Sequence, residues 1–139
     1  MGHAPCTGRK HIMAKFTWEH VHLRSPDPEA TARWYHDMLG ADVIRTKNAD
    51  GSTRIDLNLA GQKVFIAQAD PAKAGAAPSS PYMGLDHFGM TTDNLDTAVA
   101  ELKAKGVVFT MEPTQIRPGT RIAFLTAPQI VSIVILQRD

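Results

Sequence analysis

Hydrophobic and polar positions alternate from Trp18 to Arg24: Val21 and Leu23 point one way, His20, His22 and Arg24 the other. That is the period of two of a strand with one buried apolar face. From Pro28 the spacing changes, and Ala30, Trp34, Tyr35 and Met38 fall roughly a turn apart, as on the apolar stripe of a helix. Asp27 before Pro28 predicts an N-cap with proline at the first helical position, and Gly40 is the glycine just past the end. The pattern returns from Leu85 to Gly106. Phe88 and Met90 form an apolar face, His87, Gly89 and Thr91 the opposite one. Asp93 or Asn94 caps a helix carrying Leu95, Ala98, Val99 and Leu102. His20 and His87 stand at equivalent points, 87 − 20 = 67 residues apart. A period near half of the 139-residue chain marks a duplicated unit rather than a solenoid of short repeats.

Three strands complete the first unit: Ala41 to Lys47, Thr53 to Ala60 after an Asn48–Gly51 turn signal, and Lys63 to Gln68 after Gly61-Gln62. The second unit repeats the order with Val107 to Met111, a loop from Pro113 to Gly119, then strands Thr120 to Thr126 and Ile130 to Gln137. The expected fold class is α+β. Two βαβββ modules form a curved, partly closed mixed sheet around a cavity, with the helices outside. Residues 1–12 are polar and patternless and read as a disordered leader; 13–139 read as a single domain. Within it, module one is 16–69, a linker rich in Ala, Pro, Gly and Ser is 70–82, and module two is 83–139.

Composition narrows the function. An apolar fraction of 43% fills a core, and a formal charge of +1 without a basic run argues against nucleic acid or a membrane surface as partner. No apolar run reaches a membrane span. Cys6 is the lone cysteine, which excludes an intrachain disulfide and a cysteine-based zinc site. No secretory hydrophobic region is present, which predicts a cytoplasmic protein.

The faces turned away from the helices are expected to collect His20, His22, Arg24, Arg54, Asp56, Asn58, Phe65, His87, Thr91, Arg121 and Val134. A mixed lining of this kind suits a small-molecule ligand. The phrases EHVHLR, DPEATARWYHDMLG, LDHFGM and LDTAVAELKAKGV, set in two βαβββ units, resemble the vicinal oxygen chelate superfamily. Its members include glyoxalases, methylmalonyl-CoA epimerases, extradiol dioxygenases and fosfomycin- and bleomycin-resistance proteins. The resemblance covers Phe16 to Asp139 and implies the fold, a small-molecule ligand and a homodimer, but no single chemistry.

Enzymes of that superfamily typically hold one divalent ion with a side chain from each of four strands. His20 and His87 match the first and third ligands. Phe65 and Val134 stand where the second and fourth would be, so half of the implied site is missing. Two imidazoles alone hold an ion weakly, and catalytic sites usually have three protein ligands. His22 or Asp56 is the nearest candidate for a third. The implied cofactor is therefore one divalent metal ion (iron, zinc, nickel, manganese or cobalt, which these ligands do not distinguish), or none. In the enzyme reading, a metal-dependent lyase, isomerase or dioxygenase, Asp56 or His22 moves the proton. Arg24, Asn58, Phe65, Arg121 and Val134 line the ligand cavity. In the alternative, a metal-free binder of the drug-resistance kind, the histidines are hydrogen-bonded wall residues. Asp56 is then one half of an ion pair with Arg54 or Arg121. A third reading is an accessory dimer without a ligand.

Overall fold

A computed structural model describes residues 14–139. The expected leader, 1–12, lies outside the described residues. The chain runs β1 (His20–Ser25), α1 (Pro28–Leu39), β2 (Asp42–Lys47), β3 (Thr53–Leu59) and β4 (Gln62–Gln68). After the linker come β5 (Phe88–Thr91), α2 (Leu95–Ala104), β6 (Phe109–Arg117), β7 (Thr120–Thr126), a 3-10 turn (Pro128–Ile130) and β8 (Ser132–Arg138). The two βαβββ units are present as expected.

The repeat is visible in the caps. The backbone N–H of Ala30 donates to the Asp27 carboxylate and that of Thr97 to the Asn94 side-chain oxygen, each at 3.1 Å. The two caps are 94 − 27 = 67 residues apart. Each satisfies one of the amides that a helix leaves without a partner in its first turn. Two residues before each cap a hydroxyl holds the turn: Asp27 N–H donates to Ser25 Oγ, and Asn94 N–H to Thr92 Oγ1. Gly40 ends α1 with φ +73°, a conformation that glycine adopts without a Cβ clash.

The strands form two four-stranded sheets, ordered β1-β4-β3-β2 and β5-β8-β7-β6. In each, the first strand pairs parallel with the fourth and the remaining pairs are antiparallel. The first strands, β1 and β5, are outer strands, so the curved surface is built from two separate ladders and is not closed. Helix α1 lies on the first sheet and α2 on the second. Ile55, Leu57, Leu59, Val64 and Ile66 of the first sheet and Ala123, Leu125, Ile133 and Ile135 of the second are buried, with Ala32 and Tyr35 of α1 and Leu95, Val99 and Leu102 of α2. The Lys105 ammonium donates to the Asp37 carbonyl and ties the end of α2 to α1.

One expected loop is a strand. Pro113 to Gly119 was to be irregular, but β6 continues through Pro113 to Arg117. The reason is its position. β6 is an edge strand, so the missing N–H of Pro113 removes no ladder bond that the sheet needs. Its pairing with β7 shifts register three times, which absorbs the irregular backbone.

Candidate functional site

Opposite the helices the register aligns one row of side chains in each sheet. In the first, His22 lies beside Phe65, Phe65 beside Asp56, and Asp56 beside Ile44. In the second, Gly89 lies beside Val134, Val134 beside Phe124, and Phe124 beside Met111. Phe65 and Val134 are thus equivalent, as the sequence pairing supposed. The first row is polar and aromatic; the second is hydrocarbon.

Phe65 is the hub of the first row. The His20 ring stacks on it with centroids 4.1 Å apart, and His22 meets it edge-on at 6.2 Å. The Arg54 guanidinium lies 4.5 Å from the same ring, a favourable cation–π distance. Arg54 Nε also donates to Asp56 Oδ2 at 2.7 Å. Asp56 is therefore paired along its own strand. Its side chain is 17% exposed, and its other oxygen, Oδ1, is buried without a protein partner. A carboxylate oxygen left so is costly unless a ligand or solvent reaches it. Asn58 lies one step along β3 from this row, and its side chain accepts from the Gly61 amide to hold the β3–β4 turn.

The second row offers little to hydrogen-bond. Val134 is buried against Phe124, and a Cβ built on Gly89 would come within 2.8 Å of Val134 Cγ1. His87 stands just before β5, its ring edge-on to Phe124 at 4.8 Å. Its Nδ1 is 2.6 Å from the Asp86 carboxylate.

Arg121 is elsewhere. Strand parity was to put it on the cavity face, but it pairs with Gln137 in the row that faces the helices. Its guanidinium meets the Asp96 carboxylate in the first turn of α2 through two bonds, 2.9 and 3.0 Å long. That pair holds the Asp96 carboxyl below its ordinary range and ties α2 to β7. Arg121 is corrected from a cavity residue to a helix anchor.

Arg24 points the same way as His22, and both line a cleft of about 880 Å³. Its other walls are the linker and the turn before β8. A second cavity of about 510 Å³, lined by Trp18, Val21, Phe88 and Met90 among others, lies where β1 and β5 face each other. Residues not singled out from the sequence take part. Phe124 was recoverable by counting back from the β7–β8 turn; Lys73 and Gln129 carried no local signal.

A model of the glyoxalase/bleomycin resistance protein/dioxygenase superfamily matches residues 17–133. The chain belongs to that superfamily. YwkD of Bacillus subtilis (strain 168), itself uncharacterised, is 32% identical over 115 residues, covering 78% of this chain and 87% of that protein. The crystal structure of a glyoxalase family protein from Enterococcus faecalis superposes with a TM-score of 0.71 at 22% identity, over 87% of this chain and 97% of the other. A glyoxylase/bleomycin resistance protein/dioxygenase domain from Frankia sp. EAN1pec gives 0.69 at 22% identity, over 91% and 100%. These two likenesses concern the fold alone.

Superfamily membership raises the question of a metal. Among the described residues no group of three or more His, Cys, Asp or Glu side chains is placed to hold an ion. His20 is stacked on Phe65, Asp56 is engaged by Arg54, and Val134 has no donor atom. The residues present do not fit the four-strand metal centre of the superfamily's enzymes.

Proposed function

We propose that this superfamily member binds a small organic molecule at the aromatic and polar wall of its first sheet, independently of a four-ligand metal centre. One observation carries the reading: Phe65 occupies the middle of the row, with His20 stacked on it, His22 at its edge and Arg54 over its face. A wall that combines aromatic surface with imidazole and guanidinium heads suits a partly apolar ligand. A thermal-shift panel of divalent metals and small aromatic or dicarbonyl compounds tests it. Stabilisation by an organic compound with EDTA present, lost in Phe65→Ala, is expected; a response to metals alone would overturn it.

A second reading is a metal-dependent lyase, isomerase or dioxygenase with His20 and His87 as ligands and Asp56 or His22 as the proton-moving group. One observation favours it. The Asp86 carboxylate engages His87 Nδ1, the kind of contact that orients a ligating imidazole and leaves Nε2 free. Metal analysis of protein purified without added metal, beside a His20→Ala/His87→Ala variant, decides. Equal metal-to-protein ratios end this reading.

The working form we propose is a cytoplasmic homodimer. No helix among the described residues is long and apolar enough to cross a membrane. Phe16, Trp18, Met83 and Leu85 are between 74% and 98% exposed and fall at equivalent places before β1 and β5. Large apolar side chains clustered ahead of two unpaired sheet edges support burial against a second copy. Light scattering on the wild type and on Trp18→Ser/Leu85→Ser measures it; a monomeric wild type contradicts it.

A further inference from the structure

The cleft of about 880 Å³ is bounded by β1, the linker and the 3-10 turn before β8. It adjoins the Phe65 wall through His22, which lines both. Three observations in it converge.

The first is charge. Arg24 and Lys73 both line the cleft. Arg45, Arg54 and Arg121 are each closed by a carboxylate, those of Glu29, Asp56 and Asp96. Among the described residues, neither Arg24 nor Lys73 has such a partner. Asp70 also lines the cleft, but one oxygen of its carboxylate accepts from the Ala72 amide in its own turn. The lining thus carries two cations, neither held in an ion pair, and one carboxylate, a balance of one positive charge.

The second is that the fold does not require the arginine. The equivalent place in the second unit, 24 + 67 = 91, holds Thr91, in the same position along a parallel β5–β8 pair as Arg24 holds along β1–β4. A neutral side chain serves there. Strand pairing therefore does not require the charge at Arg24, which is exposed on the outer strand β1.

The third is the opposite wall. Gln129 and Ile130 both have positive φ, 62° and 52°. A β-branched residue such as Ile130 rarely adopts that region, and residues held there cluster at ligand clamps. The turn sets Gln129, a side chain with both donor and acceptor, into the cleft beside Pro128 and Val131. Ala74, Ala77 and Pro78 of the linker supply apolar surface across from it.

We propose that this cleft binds a small organic acid. Its carboxylate is taken by the Arg24 guanidinium, whose planar fork matches a carboxylate with two parallel bonds, and Lys73 adds charge nearby. The apolar body of the ligand lies along the linker alanines and prolines and reaches toward His22. This deepens the small-molecule reading given above and rests on it by naming the class of ligand.

The test is a titration of the full ¹⁵N-labelled chain with sodium benzoate and, separately, with benzyl alcohol, a neutral compound of similar shape. Amide shifts of Gly75, Ala76, Gln129 and Val131 are followed. Saturable shifts with benzoate, at least about tenfold tighter than with benzyl alcohol, are expected. Arg24→Gln should weaken benzoate by about tenfold or more and leave benzyl alcohol unchanged. Arg45→Gln, whose guanidinium is spent on Glu29 away from the cleft, should bind as the wild type does. Equal binding of the two compounds, or benzoate binding indifferent to Arg24→Gln, overturns the acid and leaves the small-molecule reading intact. No saturable shift of these amides with either compound overturns the cleft site, while the Phe65 wall stands or falls by the thermal-shift panel.

Discussion

Adding one methyl group at Gly89 probes the place where the second sheet is filled with hydrocarbon. An alanine Cβ there would sit 2.8 Å from Val134 Cγ1 and 3.7 Å from the Val134 carbonyl oxygen. Ordinary contact begins near 3.4 Å, so the valine methyl must yield by at least 3.4 − 2.8 = 0.6 Å. It cannot do so by a small torsion, because valine is stiff at χ1 and Phe124 packs beside it. Overpacking of this kind costs about 1–3 kcal/mol. Gly89 does not have positive φ, so alanine brings no backbone strain and returns about 0.4–1 kcal/mol through the unfolded chain. Gly89→Ala should therefore destabilise by about 1–2 kcal/mol, read by urea unfolding. Val134→Ala removes the obstructing methyl. The double variant Gly89→Ala/Val134→Ala should be more stable than the summed single effects predict, by at least about 0.5 kcal/mol. Wild-type stability in Gly89→Ala, or strictly additive losses, would refute the claim that these two residues fit each other at the spot where the first sheet has His22 and Phe65.

Two further outcomes follow from the same structure. Arg121 holds Asp96 below its ordinary value of 3.8 mainly by a side-chain hydrogen bond. A depressed carboxyl favours folding above the unfolded value, and that contribution is lost as the pH falls through the lower folded value. In Arg121→Gln the Asp96 titration, followed by carboxyl carbon shifts, should move up toward 3.8, and the acid limb of stability should flatten below it; an unmoved titration contradicts the pair. The Tyr35 hydroxyl is buried without a protein partner, and burial pushes its ionisation far upward. Tyr35→Phe removes an unpaired polar group at nearly constant shape, so stability by urea unfolding should be unchanged or higher by up to about 1 kcal/mol; a loss above that implies a partner.

The duplication was legible because caps and strand parity are local. Asp27 and Asn94, and the alternation through Val21, Leu23, Ile55, Leu57 and Leu59, report backbone geometry directly. Arg121 was misplaced for a physical reason. On β7 both Ile122/Phe124 and Ala123/Leu125 are apolar, so alternation cannot say which side meets the helix, and only the pairing with β8 decides. The strand through Pro113 was hidden because proline forbids central pairing but not an edge. The absence of a rung between β1 and β5 depends on how two halves dock, which no single strand encodes. In the site, the Phe65 cluster followed from parity. The cleft did not, because the linker reads as a connector by composition yet serves as a wall.

The two ladders end at β1 and β5 without a shared hydrogen-bonded rung. The register of each ladder is therefore set by pairing within its own half. Bulk, charge or an imidazole can be gained or shed on one side without forcing a compensating slip on the other. The contrast between the moist row of His22, Phe65 and Asp56 and the dry row of Gly89, Val134 and Phe124 is what separate registers permit. Substitutions that respect the close fit of Gly89 against Val134 therefore need not alter the register of β1 with β4.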